Sequence, residues 1–315
     1  MTGSAIEYLD AREMFTRLPP ARATAAITDA LTGGVDPSSD PARSNVPTTH
    51  GHFLLMPTDI GDFAGVKIAT VAPQNPLHGH PRIQGLYILF DSATLTPRAI
   101  LDGPALTTLR TPAVSIAAVR PALELRSTPL RVVIFGGGPQ ATGHANTLAD
   151  AMRGRRPIER TTYVVRTPHD HRHLHTPDAD VVAAGSDRMR STIADADVVV
   201  CATSAQTPLF DSTDIGSQAI VIAVGSHEPQ AREVDSALVS RAQVVVEDVP
   251  TALRESGDIV LAARDGAVRA TELIPMAAFV TGNVAPDLDR PLFFKSSGMS
   301  WEDLVVARAV VSATR

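Results

Sequence analysis

Arg131-Val-Val-Ile-Phe-Gly-Gly-Gly-Pro-Gln-Ala-Thr-Gly-His144 is the stretch that decides the fold. Arg131 to Phe135 reads as a short buried strand and Gln140 to Met152 as a helix. Between them, Gly136, Gly138 and Ala141 stand in G-x-G-x-x-A spacing. Gly136 permits a sharp turn off the strand. Gly138 has no Cβ and lets a pyrophosphate approach the backbone. Ala141 is small enough for the helix to pack close to the strand. The helix N-terminus adds unpaired N–H groups and the positive end of its dipole. A glycine run alone would be an ordinary turn; its place between strand and helix makes it a dinucleotide fingerprint.

Downstream, Thr161 to Val165, Asp197 to Ala202, Ala219 to Val224 and Gln243 to Glu247 are short Val-rich strands alternating with helical segments. They predict a parallel, doubly wound sheet buried on both faces. The second strand ends at Arg166-Thr167, where an NAD-preferring site commonly carries an acid for the ribose 2′-hydroxyl. Arginine there suits a 2′-phosphate, which favours NADP(H), with NAD(H) the other choice. His169, His171, His173 and His175 alternate just beyond, between Pro168 and Pro177. In an extended segment they would share a face, but no cysteine or well-placed carboxylate completes a metal set. We expect no metal and a solvated loop, with His169 or His171 placed to flank the adenine or the 2′-phosphate. His227, after the strand at 219–224, lies where strand ends face the ligand crevice and is a catalytic or nicotinamide-side candidate.

The part before residue 121 has a different texture. Residues 9–32 predict two helices broken at Pro19-Pro20 and stopped by Gly33-Gly34. Val35 to Pro47 reads as a loop holding Arg43. His52 to Met56, Val66 to Val71, Gly85 to Phe90 and Arg98 to Leu101 read as antiparallel strands. Lys67 is a cation on an apolar strand, directed either to solvent or into a pocket where an anion pairs it. A helix covers Ala105 to Arg120, and Pro112 argues that it starts near Thr111. Arg110 would then stand ahead of a helix N-terminus, either holding an anion or solvated at the surface. Glu302 to Ala313 reads as a final amphipathic helix.

At 315 residues the chain is long enough for two cores. Its net charge of −6 disfavours nucleic acid or an anionic membrane as partner. Cys201 is the only cysteine, in the apolar run Asp197-Val-Val-Val-Cys-Ala-Thr203, and reads as an inert core thiol. No intrachain disulfide can form, which fits a reducing compartment. No apolar run has the length of a membrane span, and Met1-Thr-Gly-Ser-Ala-Ile-Glu-Tyr8 is not a signal peptide. The expectation is a cytoplasmic enzyme.

Several motifs, in this order, resemble the ornithine cyclodeaminase/μ-crystallin family over nearly the whole chain. They are Met56-Pro57, Gly65-Val-Lys67 with Pro73-Gln-Asn-Pro76, Leu89-Phe-Asp91, Leu106-Thr-Thr-Leu-Arg-Thr111 and Gly136-Gly-Gly-Pro-Gln-Ala141. Gly225-Ser-His-Glu-Pro229 with Glu233-Val-Asp235 follows, then Phe294-Lys-Ser-Ser-Gly298 with Glu302-Asp303. The resemblance implies an α/β architecture. A Rossmann domain, 121–292, is inserted into a discontinuous α+β substrate-binding and dimerisation domain, 1–120 with 293–315. It also implies a homodimer. By position it makes Arg43, Lys67 and Arg110 the basic groups around a substrate carboxylate. Arg82 departs from the small polar residues common near the family's substrate-lining segment and would suit a second carboxylate on the substrate; Gln84 is expected to face the same region. The cofactor set it implies is Arg110, Thr111, Gly136, Gly138, Pro139, Gln140, Ala141, Arg166, Thr167, Ala202, Thr203, Ser204, Val224, Gly225, His227, Ser296 and Gly298.

One departure bears on the chemistry. Cyclodeaminases resemble Gly-x-Asp-x-Pro at 225–229, and this chain has His227 in the Asp position. Imidazole differs from a carboxylate in charge and reach, which argues against ornithine cyclodeamination. The resemblance then points to an NAD(P)H-dependent reductase of an α-imino acid or cyclic ketimine, such as 1-pyrroline-2-carboxylate, with Lys67 and His227 as catalytic candidates. The alternatives are a cyclodeaminase using NAD as an internal hydride carrier, and a non-catalytic NADPH-binding protein.

Overall fold

The computed structural model describes residues 6–226 and 228–313. By its internal contacts the chain forms two units, Met1–Arg110 with Met299–Arg315, and Thr111–Gly298. Both boundaries differ from the expected 120/121 and 292/293. The first falls inside one continuous helix. The second moves because Leu292–Lys295 is a strand of the parallel sheet.

The first unit is built on a six-stranded sheet. Its strands are β1 (Glu7–Leu9), β2 (Ser44–Thr48), β3 (Gly51–Ile60), β4 (Phe63–Val71), β5 (Ile83–Asp91) and β6 (Pro97–Asp102), in the order β1-β6-β5-β4-β3-β2. The pairs from β2 to β6 are antiparallel, and β1 joins β6 in parallel. Part of the expected 35–47 loop is therefore strand. Pro47 removes a ladder donor, which is tolerated because β2 lies at the sheet edge. Helix α1 (Ala11–Arg17) opens on a capping box, with Glu13 N donating to Asp10 Oδ1 at 2.8 Å. Helix α2 (Pro20–Thr32) has Pro20 at its first position, where a missing N–H does least harm.

Helix α3 (Gly103–Leu123) corrects the expected start near Thr111. Asp102 Oδ1 accepts the Ala105 N–H at 2.7 Å and caps the helix well before Pro112. The lost hydrogen bond at Pro112 is outweighed by burial of Leu106, Leu109, Ala113, Val114 and Ile116. Arg110 thus sits inside a helix, not before one.

The second unit is an eight-stranded, wholly parallel sheet. It comprises β7 (Leu130–Phe135), β8 (Ile158–Val165), β9 (Ala179–Ala183), β10 (Val198–Cys201), β11 (Ile220–Ala223), β12 (Gln243–Val246), β13 (Ile274–Pro275) and β14 (Leu292–Lys295). The order is β13-β12-β14-β11-β10-β7-β8-β9. Its helices are α4 (Pro139–Ala151), α5 (Asp187–Ala194), α6 (Ser236–Arg241), α7 (Val249–Glu255), α8 (Gly257–Arg264) and α9 (Met276–Val280). Strand order reverses between β7 and β10, so the switch point of a doubly wound sheet falls beside the Gly136–Gly138 loop. Val199, Val221, Val244 and Phe293 are fully or almost fully buried within this sheet. Cys201 is buried, and desolvation holds its thiol well above the ordinary range, as an inert core thiol requires.

The last helix, α10 (Ser300–Ser312), returns to the first unit and packs on β3, β4 and α2. Among the described residues no helix is long and apolar enough to cross a membrane.

Gly65 is fixed by packing. A Cβ there would lie 2.0 Å from Tyr87 Oη and 2.6 Å from its ring, and Tyr87 is fully buried. Gly65→Ala is expected to destabilise the protein by about 1–3 kcal/mol through overpacking. Urea denaturation of the variant checks this, and an unchanged midpoint would show that the ring yields freely.

Candidate functional site

In the first unit the sheet register sets a row of side chains on one face. Met56 is opposite Lys67, Lys67 opposite Tyr87, and Tyr87 opposite Leu101. All four are buried. Lys67 therefore points into the unit, towards α10, and not to solvent. Its Nζ donates to Asp303 Oδ2 at 2.6 Å. Arg110 is buried beside it, donating from Nη1 to Glu302, with Nε 3.1 Å from Asp303 Oδ1. Glu302 and Asp303 are fully buried in the first turn of α10. That end of the helix favours negative charge.

Asp40 completes the arrangement. Its Oδ2 accepts the N–H groups of Ser300 at 2.7 Å and Trp301 at 3.1 Å, so a residue from the loop before β2 caps α10. Burial raises the Asp40 carboxyl above the ordinary carboxylate range. Burial also brings Lys67 down to about 8; Asp303 opposes that fall and Arg110 adds to it. A lysine in this state exchanges its proton near neutral pH. Its ammonium has three donors, and Asp303 engages one.

The other substrate-side candidates separate by strand parity. Arg43 is half-buried and immediately precedes β2, whose Ser44 pairs with Leu55. One further step brings it to the edge of the Met56–Lys67 row. Gln84 pairs with Thr70, an odd number of residues from Tyr87, and so faces away from Lys67. Arg82 is exposed just before β5.

In the second unit, Gly136 has φ 115°, and a Cβ there would meet the Ala202 carbonyl at 2.5 Å. Gly138 is the N-cap of α4 and has nothing within 4 Å of its Cβ position. Ala141 is fully buried. The loop therefore presents an open backbone and a helix N-terminus, a fit for a dinucleotide's pyrophosphate. Pro139 and Gln140 form the first turn of α4. His144, one turn on, is buried and held low, near pKa 4, by desolvation; it contacts the Gln140 carbonyl at 2.7 Å and Ser115 Oγ at 3.0 Å. Arg166 is exposed at the end of β8, beside β7, with Thr167 half-buried next to it. The histidine segment is not extended. Pro168–Leu174 is a 3-10 turn that breaks at His171, so the alternating histidines do not share a strand face.

The loops after β10 and β11 are joined by one carboxylate. Glu233 Oε1 accepts from Thr203 N at 2.8 Å and Thr203 Oγ1 at 2.7 Å, and Oε2 accepts from Gly225 N at 2.7 Å. Glu233 is fully buried, and desolvation raises its pKa. Asp258 Oδ1 accepts the N–H groups of Glu233 and Val234 at 2.7 and 3.0 Å. Lys295 lies 3.6 Å from Asp258 and donates to the Ser226 and Ser296 carbonyls at 2.8 and 2.7 Å. Glu247 Oε2 takes the Ser297 and Gly298 N–H groups at 2.7 and 2.9 Å. Gly298 N–H is thus committed to the protein, and Ser296 is buried. Ala202 is half-buried, Ser204 exposed and Val224 buried. Thr111 is buried in α3. His227 lies outside the described residues.

Sequence reasoning missed Asp40, Glu233, Asp258, Lys295, Glu302 and Asp303 as supports. A signal was present: Trp301-Glu-Asp-Leu-Val-Val306 sets two acids in an apolar helix, the same anomaly that marked Lys67.

The ornithine cyclodeaminase/mu-crystallin family model matches residues 22–315. Delta(1)-pyrroline-2-carboxylate reductase 1 of Burkholderia multivorans is 31% identical over 282 residues, covering 87% of this chain and 84% of that protein. The Delta(1)-pyrroline-2-carboxylate/Delta(1)-piperideine-2-carboxylate reductase of Azospirillum brasilense is 30% identical over 301 residues, covering 91% and 88%. In fold, the chain is similar to Thermococcus litoralis Delta(1)-pyrroline-2-carboxylate reductase, solved with NADH and L-proline. The TM-score is 0.84 at 22% identity, covering 98% of this chain and 97% of that one.

Glu233→Gln tests the loop tie. The amide places a donor where one of the three bonded N–H or O–H groups needs an acceptor. A loss of about 1–3 kcal/mol is expected in urea denaturation; full retention of stability would show that the carboxylate is dispensable.

Proposed function

This chain belongs to the ornithine cyclodeaminase/mu-crystallin family, and on that footing we propose that it is a nicotinamide-dinucleotide-dependent reductase of α-imino acids, with 1-pyrroline-2-carboxylate as the first substrate to test. The observation that carries this reading is the buried Lys67, hydrogen-bonded to Asp303 beside Arg110. It is an anion-receiving and proton-exchanging group in one. The relatives named as pyrroline-2-carboxylate reductases support it, as does histidine at 227, where cyclodeamination would use a carboxylate.

Arg110, Lys67 and Arg43 hold the substrate carboxylate, and fixed orientation supplies much of the rate. The nicotinamide supplies the hydride when bound. Lys67 supplies the proton that makes the imine nitrogen electron-poor, acting as general acid, and Asp303 keeps the ammonium charged in a buried site. The Gly136–Gly138 loop and the α4 N-terminus receive the dinucleotide phosphates. Arg166 favours the 2′-phosphate of NADPH over the bare ribose of NADH.

The reductase works as a homodimer. The sheet face opposite Lys67 carries Val46, Phe53 and Leu86, all exposed, with Leu55 and Ile68 half-buried beside them. An apolar sheet face of this kind marks an association surface. Gln84 shares that face and belongs to the interface instead of the pocket.

NADPH oxidation with 1-pyrroline-2-carboxylate, run beside ammonia release from ornithine with NAD, tests the activity. Turnover in the first and silence in the second is the expected pair; ammonia release would overturn it. The kcat/KM should fall as pH rises through about 8, where Lys67 loses its proton. Asp303→Asn should move that limb to lower pH, because Asp303 supports the charged form. Lys67→Met should lower kcat/KM by about 10²–10⁴-fold. A limb that stays in place in the Asp303→Asn variant would remove Lys67 from the acid role. Phe53→Glu should convert the dimer to monomer in sedimentation, and a wild-type monomer would refute the assembly.

A further inference from the structure

The bend that breaks the Pro168–Leu174 turn, φ −116° and ψ 24° at His171, lays that imidazole against the glycine-rich loop. A Cβ on Gly137 would lie 2.4 Å from His171 Nδ1 and 2.6 Å from Cε1. The ring fits only because residue 137 has no side chain. Gly137 is not among the glycines with positive φ, so its backbone conformation makes no demand for glycine. The contact with His171 does.

Nδ1 of His171 is buried and has no hydrogen-bond partner among the described residues. A buried polar nitrogen left in that state is unfavourable and calls for a partner. The neighbouring rings do not serve. His173 stands 5.9 Å away between centroids, and His169 pairs with Asp170. The surroundings define what would serve. The nitrogen borders the loop whose N–H groups face a phosphate, and its segment begins two residues after Arg166. An anionic oxygen meets an imidazole N–H in a charge-assisted hydrogen bond.

We propose that His171 is a phosphate ligand of the dinucleotide, donating from Nδ1, and that Gly137 is glycine to admit it. This rests on the nucleotide-binding reading above. Two phosphate groups have the required chemistry, the pyrophosphate and the 2′-phosphate of NADPH.

The test is titration of NADPH and of NADH, followed by cofactor fluorescence, into the wild type, His171→Ala, Gly137→Ala and the double variant, with thermal midpoints confirming that each is folded. His171→Ala should raise the Kd about tenfold. Gly137→Ala should do the same, because the new Cβ displaces the ring. The double variant should be no worse than either single, since both remove one interaction. A loss confined to NADPH assigns His171 to the 2′-phosphate, and an equal loss with NADH assigns it to the pyrophosphate. Unchanged affinities in His171→Ala, or single losses that add in the double variant, overturn the proposal. A wild type that binds neither nucleotide overturns instead the reading on which it rests.

Discussion

A buried cation must have its counter-charge brought to it, and in the first unit that requirement governs the arrangement. Lys67 and Arg110 are each about 5% exposed, and the desolvation of two such charges would be prohibitive alone. Glu302 and Asp303 answer it from the first turn of α10. The first unit is therefore discontinuous for an electrostatic reason as well as a packing one. A strand, a helix and a distant final helix each supply part of one charge cluster. The cluster does not reduce to fixed structural pairs, since Lys67 is left with a pKa of about 8 and donors to spare.

The second unit solves a related problem in backbone. The loops after β10 and β11 leave the C-terminal ends of two adjacent parallel strands, and their N–H groups would otherwise move with the loops. Glu233 binds both loops at once, Asp258 fixes Glu233, and Lys295 balances Asp258 while holding the Ser226 carbonyl. Buried charges thus hold both loops, while the backbone at Gly138 stays open, with nothing within 4 Å of a Cβ there. Each unit thus uses a buried ion network as scaffold.

The features legible in the sequence were those with a short-range cause. The Gly136–Ala141 spacing, the Val-rich parallel strands and the Pro19-Pro20 helix break each announce themselves within a few residues, and each is present. Features set by distant partners were not legible. Ser44–Thr48 becomes a strand because β3 offers it an edge, despite Pro47. α3 runs through Pro112 because its apolar residues are buried and Asp102 starts it earlier. Lys67 was equivocal until its row and Asp303 could be seen. The face that Gln84 takes depends on which residue is opposite Lys67, a matter of register that no local pattern fixes.

The reach of the first unit's contacts also imposes an order of assembly. Lys67 meets a carboxylate 236 positions later, and Asp40 caps a helix 260 positions away. The contiguous second unit lies between them in sequence and is complete before α10 has been made. During synthesis the β3–β5 sheet therefore waits, with a lysine on its inner face and a capping aspartate without a helix to cap. Contacts of such long separation form late and slowly. The ion cluster between Lys67, Arg110 and the first turn of α10 is thus a late step of folding, because its two halves lie so far apart in sequence.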